Sequence, residues 1–320
     1  MEHVEQAGVH SGDSACAIPP QTLSLEVINL IKRYTRMMAD SLDILGLINI
    51  QYAVKNGEVF VLEANPRASR TVPFVSKATG VPLAKIAARV MLGATFEQLA
   101  QEKMLPFVWD KDLDESGYEP KAGKYVCVKE AVLPFRRFPE MDSLLGPEMR
   151  STGEVMGIDL NFGVGFAKSQ MASGNSLPSS GIVVMSLADR DKQPSLEVAK
   201  GLLSLGFSLA ATSGTAEFFN NNGVTVETYL SKIGDTNSDM VDTVDLIASS
   251  KVTLVINTPR GRGPHADGAH IRSVAGLNKV PCLTTIAAAK AAVDGIRKLR
   301  EGPLNVKSIQ EYYLDYNAST

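Results

Sequence analysis

Two periods divide the chain. From Thr22 to Leu45 apolar residues recur at the spacing of one helix face, with Thr22 or Ser24 as N-cap and Gly46 as the stop. Alternating runs follow near 47–55 and 58–63, and Asn56-Gly57 between them favours a two-residue hairpin turn. Alternation would turn Gln51, Glu63 and Asn65 toward one cleft. Further helices are expected over Val81–Leu92, where Pro82 suits a first turn, and over Phe162–Met171. A strand is expected over Lys124–Leu133, and residues 1–17 read as a strand and loop. The stretch 104–123 reads as irregular and exposed, with Trp109 as a surface or interface anchor. Phe135–Gly157 carries neither period.

Ala172–Gly181 is rich in Ser, Gly and Asn and reads as a linker, which places a domain boundary at 174–181. Beyond it, apolar runs alternate with helical ones. Strands are expected at Ile182–Ser186, Phe207–Ala211, Thr225–Tyr229, Val252–Asn257 and Val280–Thr284. Between and after them come helices at Pro194–Leu205, Thr215–Asn221, near 238–249, near 267–276 and at Ile286–Glu301. This order predicts a parallel sheet covered on both faces, an α/β domain over 182–320 after a first domain over 1–173.

Composition narrows the function classes. The 320 residues are 44% hydrophobic and 21% charged with a net charge of -3, which fits a globular chain and offers no basic face for nucleic acid. Cys16, Cys127 and Cys282 are widely spaced and odd in number, so neither a disulfide framework nor a zinc cluster is expected, and they read as buried apolar residues. No long apolar run or leader is visible, so a cytoplasmic setting without a membrane is expected.

Three groups of residues suit chemistry. Gly8-Val9-His10-Ser11-Gly12-Asp13-Ser14 is a small polar turn able to approach a nucleotide, or simply a capped turn. Gln51, Glu63, Asn65 and Arg67, with Arg70 behind, combine hard oxygen ligands for a divalent cation with a guanidinium for phosphate; a solvated strand end is the plainer alternative. Thr212-Ser213-Gly214-Thr215, between a strand and a helix, is either an anion pocket at a helix N-terminus or an ordinary capped turn. His3, His265 and His270 lack metal-ligand spacing. Arg260-Gly-Arg262 is a basic loop close in sequence to Asn257.

Val61-Leu-Glu63-Ala-Asn65-Pro-Arg67 resembles the metal-binding end of an ATP-grasp fold. Phe74–Lys85 and Leu144–Gly157 sharpen the resemblance to the large subunit of carbamoyl phosphate synthetase, along essentially the whole chain. It implies a partial ATP-grasp domain followed by a Rossmann-like parallel-sheet domain similar to methylglyoxal synthase. The implied activity is phosphorylation of carbamate, in an enzyme making carbamoyl phosphate from bicarbonate, glutamine-derived ammonia and two MgATP for pyrimidines and arginine. Gly8, Val9, His10 and Ser11 would line the adenosine and ribose. Gln51 and Glu63 would hold Mg²⁺ or Mn²⁺ against the ATP phosphates, Asn65 would complete the shell, and Arg67 would neutralise phosphate charge. Thr212, Gly214 and Thr215 would cradle an effector phosphate, with Lys232 and Asn257 completing the regulatory pocket for UMP or IMP; ornithine-linked signals are a further implied effector class.

The implied partners are a glutaminase small subunit and the preceding part of the large subunit, since the family's chain is several times longer. A fragment opening in mid-domain is therefore expected, inert alone because half of the nucleotide clamp is missing, and prone to self-association through uncovered apolar surface. One alternative is a stand-alone ligand-sensing module. Another is a methylglyoxal-synthase-type lyase, for which Asp235 is the only nearby base and lacks the expected frame.

Overall fold

Apolar residues on both faces of its strands organise the second half of the chain. The computed structural model describes residues 1–105, 124–138, 142–231, 240–259 and 267–317. Trp109, Lys232, Asp235, Arg260, Arg262 and His265 lie outside the described residues. In order, β1 (Glu2–His3), β2 (Cys16–Ile18), α1 (Leu25–Ser41), β3 (Asn49–Lys55), β4 (Glu58–Asn65), α2 (Val72–Thr79), α3 (Leu83–Met91) and α4 (Phe96–Gln101) precede β5 (Val126–Val132), β6 (Gly153–Asp159) and α5 (Phe162–Ala172). Next come β7 (Ile182–Ser186), α6 (Asp189–Lys192), α7 (Leu196–Ser204), β8 (Ser208–Thr212), α8 (Ser213–Asn221), β9 (Thr228–Ser231) and β10 (Val241–Asp242). The order ends with α9 (Thr243–Ala248), β11 (Val252–Asn257), α10 (Asp267–Leu277), β12 (Cys282–Leu283), α11 (Ile286–Glu301) and α12 (Ile309–Asn317).

The chain divides into two compact units, one of Met1–Glu2, Ala17–Cys127 and Asn305–Thr320, the other of His3–Cys16 and Val128–Leu304. Residues 128–173, expected with the first domain, thus fall in the second unit. In the first unit, the hydroxyl of Ser24 accepts the Val27 N–H and starts α1. Thr95 and Gln98 form a reciprocal capping box at α4. Val81, Ile86, Leu99 and Leu105 make a local core. Terminal α12 is held in this unit by Tyr313, whose hydroxyl donates to Lys77 O at 2.8 Å, and by Tyr312, edge-on to Tyr125 at 4.9 Å.

The second unit carries a six-stranded sheet in the order β10-β9-β8-β7-β11-β12, every pair parallel. Its central strands are apolar without alternation: Val183, Val184 and Met185, then Leu209, Ala210 and Ala211, then Leu254, Val255 and Ile256, are all buried. A second sheet has the order β1-β2-β5-β6. Here β6 corrects the expectation that Phe135–Gly157 lacks a period; Gly153 and Gly157 dilute its apolar signal. Strand β9 lies a few residues later than expected, because Val224 and Val226 are buried within the connection leading to it.

Gly157 and the glycines of α5 and α11 permit close approach. A Cβ at Gly295 would lie 2.5 Å from Gly163 O, and one at Gly163 would lie 2.6 Å from Gly295 N. We expect Gly295→Ala to lower the unfolding free energy by about 2 kcal/mol through overpacking, measured by urea denaturation. Gly302→Ala, where nothing lies within 4 Å of the added carbon, is the control and should change little.

Candidate functional site

Positive φ at Asn56 (54°) and Gly57 (82°) closes the β3–β4 hairpin as the dipeptide requires. Its register sets Gln51 opposite Glu63 and Asn49 opposite Asn65, and then slips, pairing Tyr52 with Val61. Leu62 is thereby left as a bulge, directly before Glu63. Residues directly opposite one another, and residues two apart, share a face. Gln51, Glu63 and Asn65 therefore lie on one side of the hairpin, as the alternation suggests. Arg67 follows directly, its N–H on Asn65 O at 2.8 Å and its Nη1 on Ala68 O at 3.0 Å, with the side chain exposed. One carboxylate and two amides are a donor set of hard oxygens suited to Mg²⁺ or Mn²⁺, a cation that takes further oxygens from phosphate and water. Among the described residues no group of three His, Cys, Asp or Glu side chains has metal-binding geometry.

The Gly8–Ser14 turn belongs to the second unit and is held by buried charge. His10 donates its N–H to Gly146 O at 2.8 Å, and its carbonyl accepts from Asp13 N and Ser14 N. Its Nδ1 accepts the Gly12 N–H at 3.1 Å, which leaves Nε2 as the ring's donor. Lys129, fully buried, donates to the Ser11 and Gly12 carbonyls, both at 3.2 Å, with Glu154 at 3.7 Å. Asp13, 1% exposed, accepts the Arg150 and Ser151 N–H groups at 2.7 and 2.9 Å. Buried charges are tolerable when satisfied in this way, and the result is a rigid turn.

A third cluster sits where the parallel strands end. Strands β8 and β11 flank β7, and the order reverses between β7 and β11, the place where open α/β sheets form ligand crevices. Thr212 ends β8 and stands as N-cap of α8, whose second residue is Gly214. Thr215 is fully buried, its Oγ1 accepting from Leu187 N at 3.2 Å and from Thr212 Oγ1 at 3.3 Å. Asn257, 2% exposed, donates to Ser186 O at 3.2 Å and accepts from Arg272 Nη1 at 2.7 Å. Lys192 is the residue that sequence reasoning missed: its Nζ comes within 3.5 Å of where a Cβ on Gly214 would sit, and it pairs with Asp189 at 2.8 Å. Its signal was the charged run Asp189–Lys192 directly after an apolar strand.

Residues 1–99 match the family model described as carbamoyl-phosphate synthase L chain, ATP binding domain, and residues 195–284 match the MGS-like domain. Over 98% of its length the chain is 49% identical to the carbamoyl phosphate synthase large chain of Mycobacterium bovis, of which it covers 28%. It is 47% identical, over 98% of its length, to a protein of Aquifex aeolicus named as the C-terminal section of that large chain, covering 58% of it. The corresponding C-terminal section in Methanocaldococcus jannaschii is 47% identical over 97% of the chain, which covers 49% of that relative. The chain belongs to the carbamoyl phosphate synthase large-chain family. It spans between about a quarter and somewhat over half of these relatives' lengths.

Within that family frame, the expected fold class stands: an ATP-binding domain precedes an α/β domain with a parallel sheet. Cys16 and Cys127 are buried and Cys282 half-buried, none in a disulfide, and burial pushes each thiol up to about 12. Among the described residues no helix is long and apolar enough to cross a membrane.

The second unit also holds a partly open pocket of about 200 Å³ whose lining includes Glu5, Glu130, Gln170, Arg272 and Thr284. Burial pushes both carboxyls upward, and for Glu5 the neighbouring Glu130 charge adds to it. Gln170 donates to Glu130 at 2.6 Å, whereas Glu5 Oε2 has no hydrogen-bond partner. A carboxyl raised in the folded state binds its proton more tightly there than when unfolded, so its contribution is full below about 4.5. It is lost as pH rises through the folded value, for Glu5 about 8. Glu5→Gln is expected to flatten the fall in unfolding free energy between those pH values, read by urea denaturation across pH. A slope equal to that of the wild type would contradict the account.

Proposed function

We propose that residues 1–173 carry the metal-bearing side of the ATP site that phosphorylates carbamate, and that residues 182–320 sense a nucleotide such as UMP or IMP. The hairpin register carries this reading: it sets Gln51, Glu63 and Asn65 on one face, inside the segment matched by the ATP-binding family model. Glu63 and Gln51 would hold a divalent cation and Asn65 would complete its protein ligands. A divalent cation held there, Mg²⁺ or Mn²⁺, would supply the positive charge that phosphoryl transfer calls for. Arg67 would offset the charge that develops on a transferring phosphoryl group; in the second unit, the turn of Gly8, Val9, His10 and Ser11 suits a nucleoside. Phosphoryl transfer needs no covalent partner from the protein, only position and charge, and these residue types supply both.

The intact enzyme takes ammonia from a glutaminase small subunit and works in the cytoplasm, feeding pyrimidine and arginine synthesis. The exposed apolar residues Phe60, Val61 and Leu62 on β4 support self-association of this chain when isolated. In the regulatory pocket, Thr212, Gly214 and Thr215 frame the effector phosphate, Lys192 and Lys232 neutralise it, and Asn257 reads the ligand. The lyase alternative is set aside because its one base, Asp235, lacks the expected sequence frame.

Water-proton relaxation by Mn²⁺ in the presence of ATP tests the metal assignment. We expect the enhancement given by the wild-type chain to fall at least about tenfold in apparent affinity with Glu63→Gln, since an ionised ligand is replaced by a neutral one. An unchanged titration would remove Glu63 from the site.

A further inference from the structure

The strand end carrying Asn257 and the Gly8–Ser14 turn are joined by a chain of side-chain hydrogen bonds inside one compact unit. Arg272, 2% exposed, donates from Nη1 to Asn257 Oδ1 at 2.7 Å. Its other nitrogens grip Asp142 bidentately, Nε to Oδ1 at 2.8 Å and Nη2 to Oδ2 at 2.6 Å. Residue 142 is also held through its carbonyl, which accepts from Arg150 Nη1 at 2.9 Å. The backbone N–H groups of Arg150 and Ser151 then end on the two oxygens of Asp13. Asp13 closes the turn that Lys129 holds from beneath. Burial pushes the Asp142 carboxyl up, but hydrogen bonds from Arg272 and the Leu144 N–H, with the charges of Arg272 and Arg150, outweigh it and hold Asp142 below its ordinary range.

We propose that Arg272 and Asp142 are positioning residues that form a strut, transmitting occupancy of the Asn257 amide to the Gly8–Ser14 turn. The proposal rests on the reading of Asn257 as an effector contact. Both polar atoms of the Asn257 side chain are already engaged. A phosphate or carbonyl oxygen that draws the Nδ2 donors of this amide toward itself turns the side chain, and with it Oδ1, the acceptor of Arg272 Nη1. A guanidinium buried to this degree cannot leave a donor unpaired without cost, so Arg272 shifts when its acceptor turns away. Its planar fork carries the Asp142 carboxylate with it, because a bidentate pair moves as one body. Asp142 in turn sets Arg150, and Arg150 sets Asp13. Gly268 sharpens the device, since a Cβ there would lie 2.9 Å from Arg272 Nη1 and 3.1 Å from Asn257 Oδ1.

Backbone hydrogen exchange at Arg150 and Ser151 reads the strut directly. Asn257→Ala is expected to speed exchange there by about fivefold or more, the effect of weakening one hydrogen bond in a locally opening segment, with the amides of β7 unchanged. In an Asp142→Asn chain the same Asn257→Ala change is expected to add nothing. If Asn257→Ala also loosens β7, Asn257→Asp takes its place with the same readout, setting a second carboxylate against Arg272 at nearly constant volume. Unmoved exchange at Arg150 and Ser151, or effects that simply add in the double variant, overturns the proposal. UMP is titrated separately into the wild-type chain by calorimetry. Failure to bind overturns the effector reading on which the strut rests; binding, with exchange unmoved by the Asn257 changes, overturns the strut alone.

Discussion

A parallel sheet buried on both faces leaves polar chemistry one place to collect, the carboxyl ends of its strands. In the second unit the buried middles of β7, β8 and β11 are apolar, and Thr212, Thr215 and Asn257 lie where β8 and β11 stop. Each strand end is then tied to its neighbour: Thr215 accepts from Leu187 N, Asn257 donates to Ser186 O, and Thr258 Oγ1 accepts from Ala188 N at 2.8 Å. Burial of the sheet and assembly of the pocket are thus one event. A change that loosens the core also misplaces the hydroxyls at its edge, because the same strands carry both.

The Gly8–Ser14 turn obeys the opposite logic. It has little apolar content of its own, and its shape comes from two buried ions, Lys129 beneath its carbonyls and Asp13 reaching back to residues 150 and 151. Such ions contribute little net stability compared with apolar packing, yet they specify one conformation because every alternative leaves a charge unpaired. In the nucleotide-facing role proposed for this turn, that specificity matters more than additional burial.

Much of this was legible in the sequence where a local rule and the tertiary fold agree. Asn56-Gly57 predicts its hairpin, Ser24 its cap, and the unbroken apolar runs 182–186 and 252–257 their buried strands. Strand β6 was hidden because glycines at 153 and 157 replace the residues that would have shown its period; a Cβ at Gly157 would lie 2.0 Å from Gly165 O, so packing required the glycine that concealed the strand. Helix α12 is short, and its tyrosines reach distant partners, Tyr313 the Lys77 carbonyl and Tyr312 the Tyr125 ring, which no local apolar period records. Candidate site residues were found where spacing encodes a shared face, as for Gln51, Glu63 and Asn65. Arg272 and Asp142 were not, since their pairing joins residues 130 positions apart and Arg272 reaches Asn257 15 positions away, which no local pattern records; Lys192 left only the trace of a charged run after β7.

In the proposed regulatory role, the carboxyl edge of the six-stranded sheet binds a nucleotide phosphate. Amide chemical shifts of the labelled chain during a UMP titration test it residue by residue. The account requires saturable shifts at Ser213, Gly214 and Thr215, where α8 presents its first N–H groups, and at Asn257 and Thr258 on the neighbouring strand end. Shifts confined to Gly8–Ser11, or none at the β8–α8 junction at saturating ligand, would contradict it.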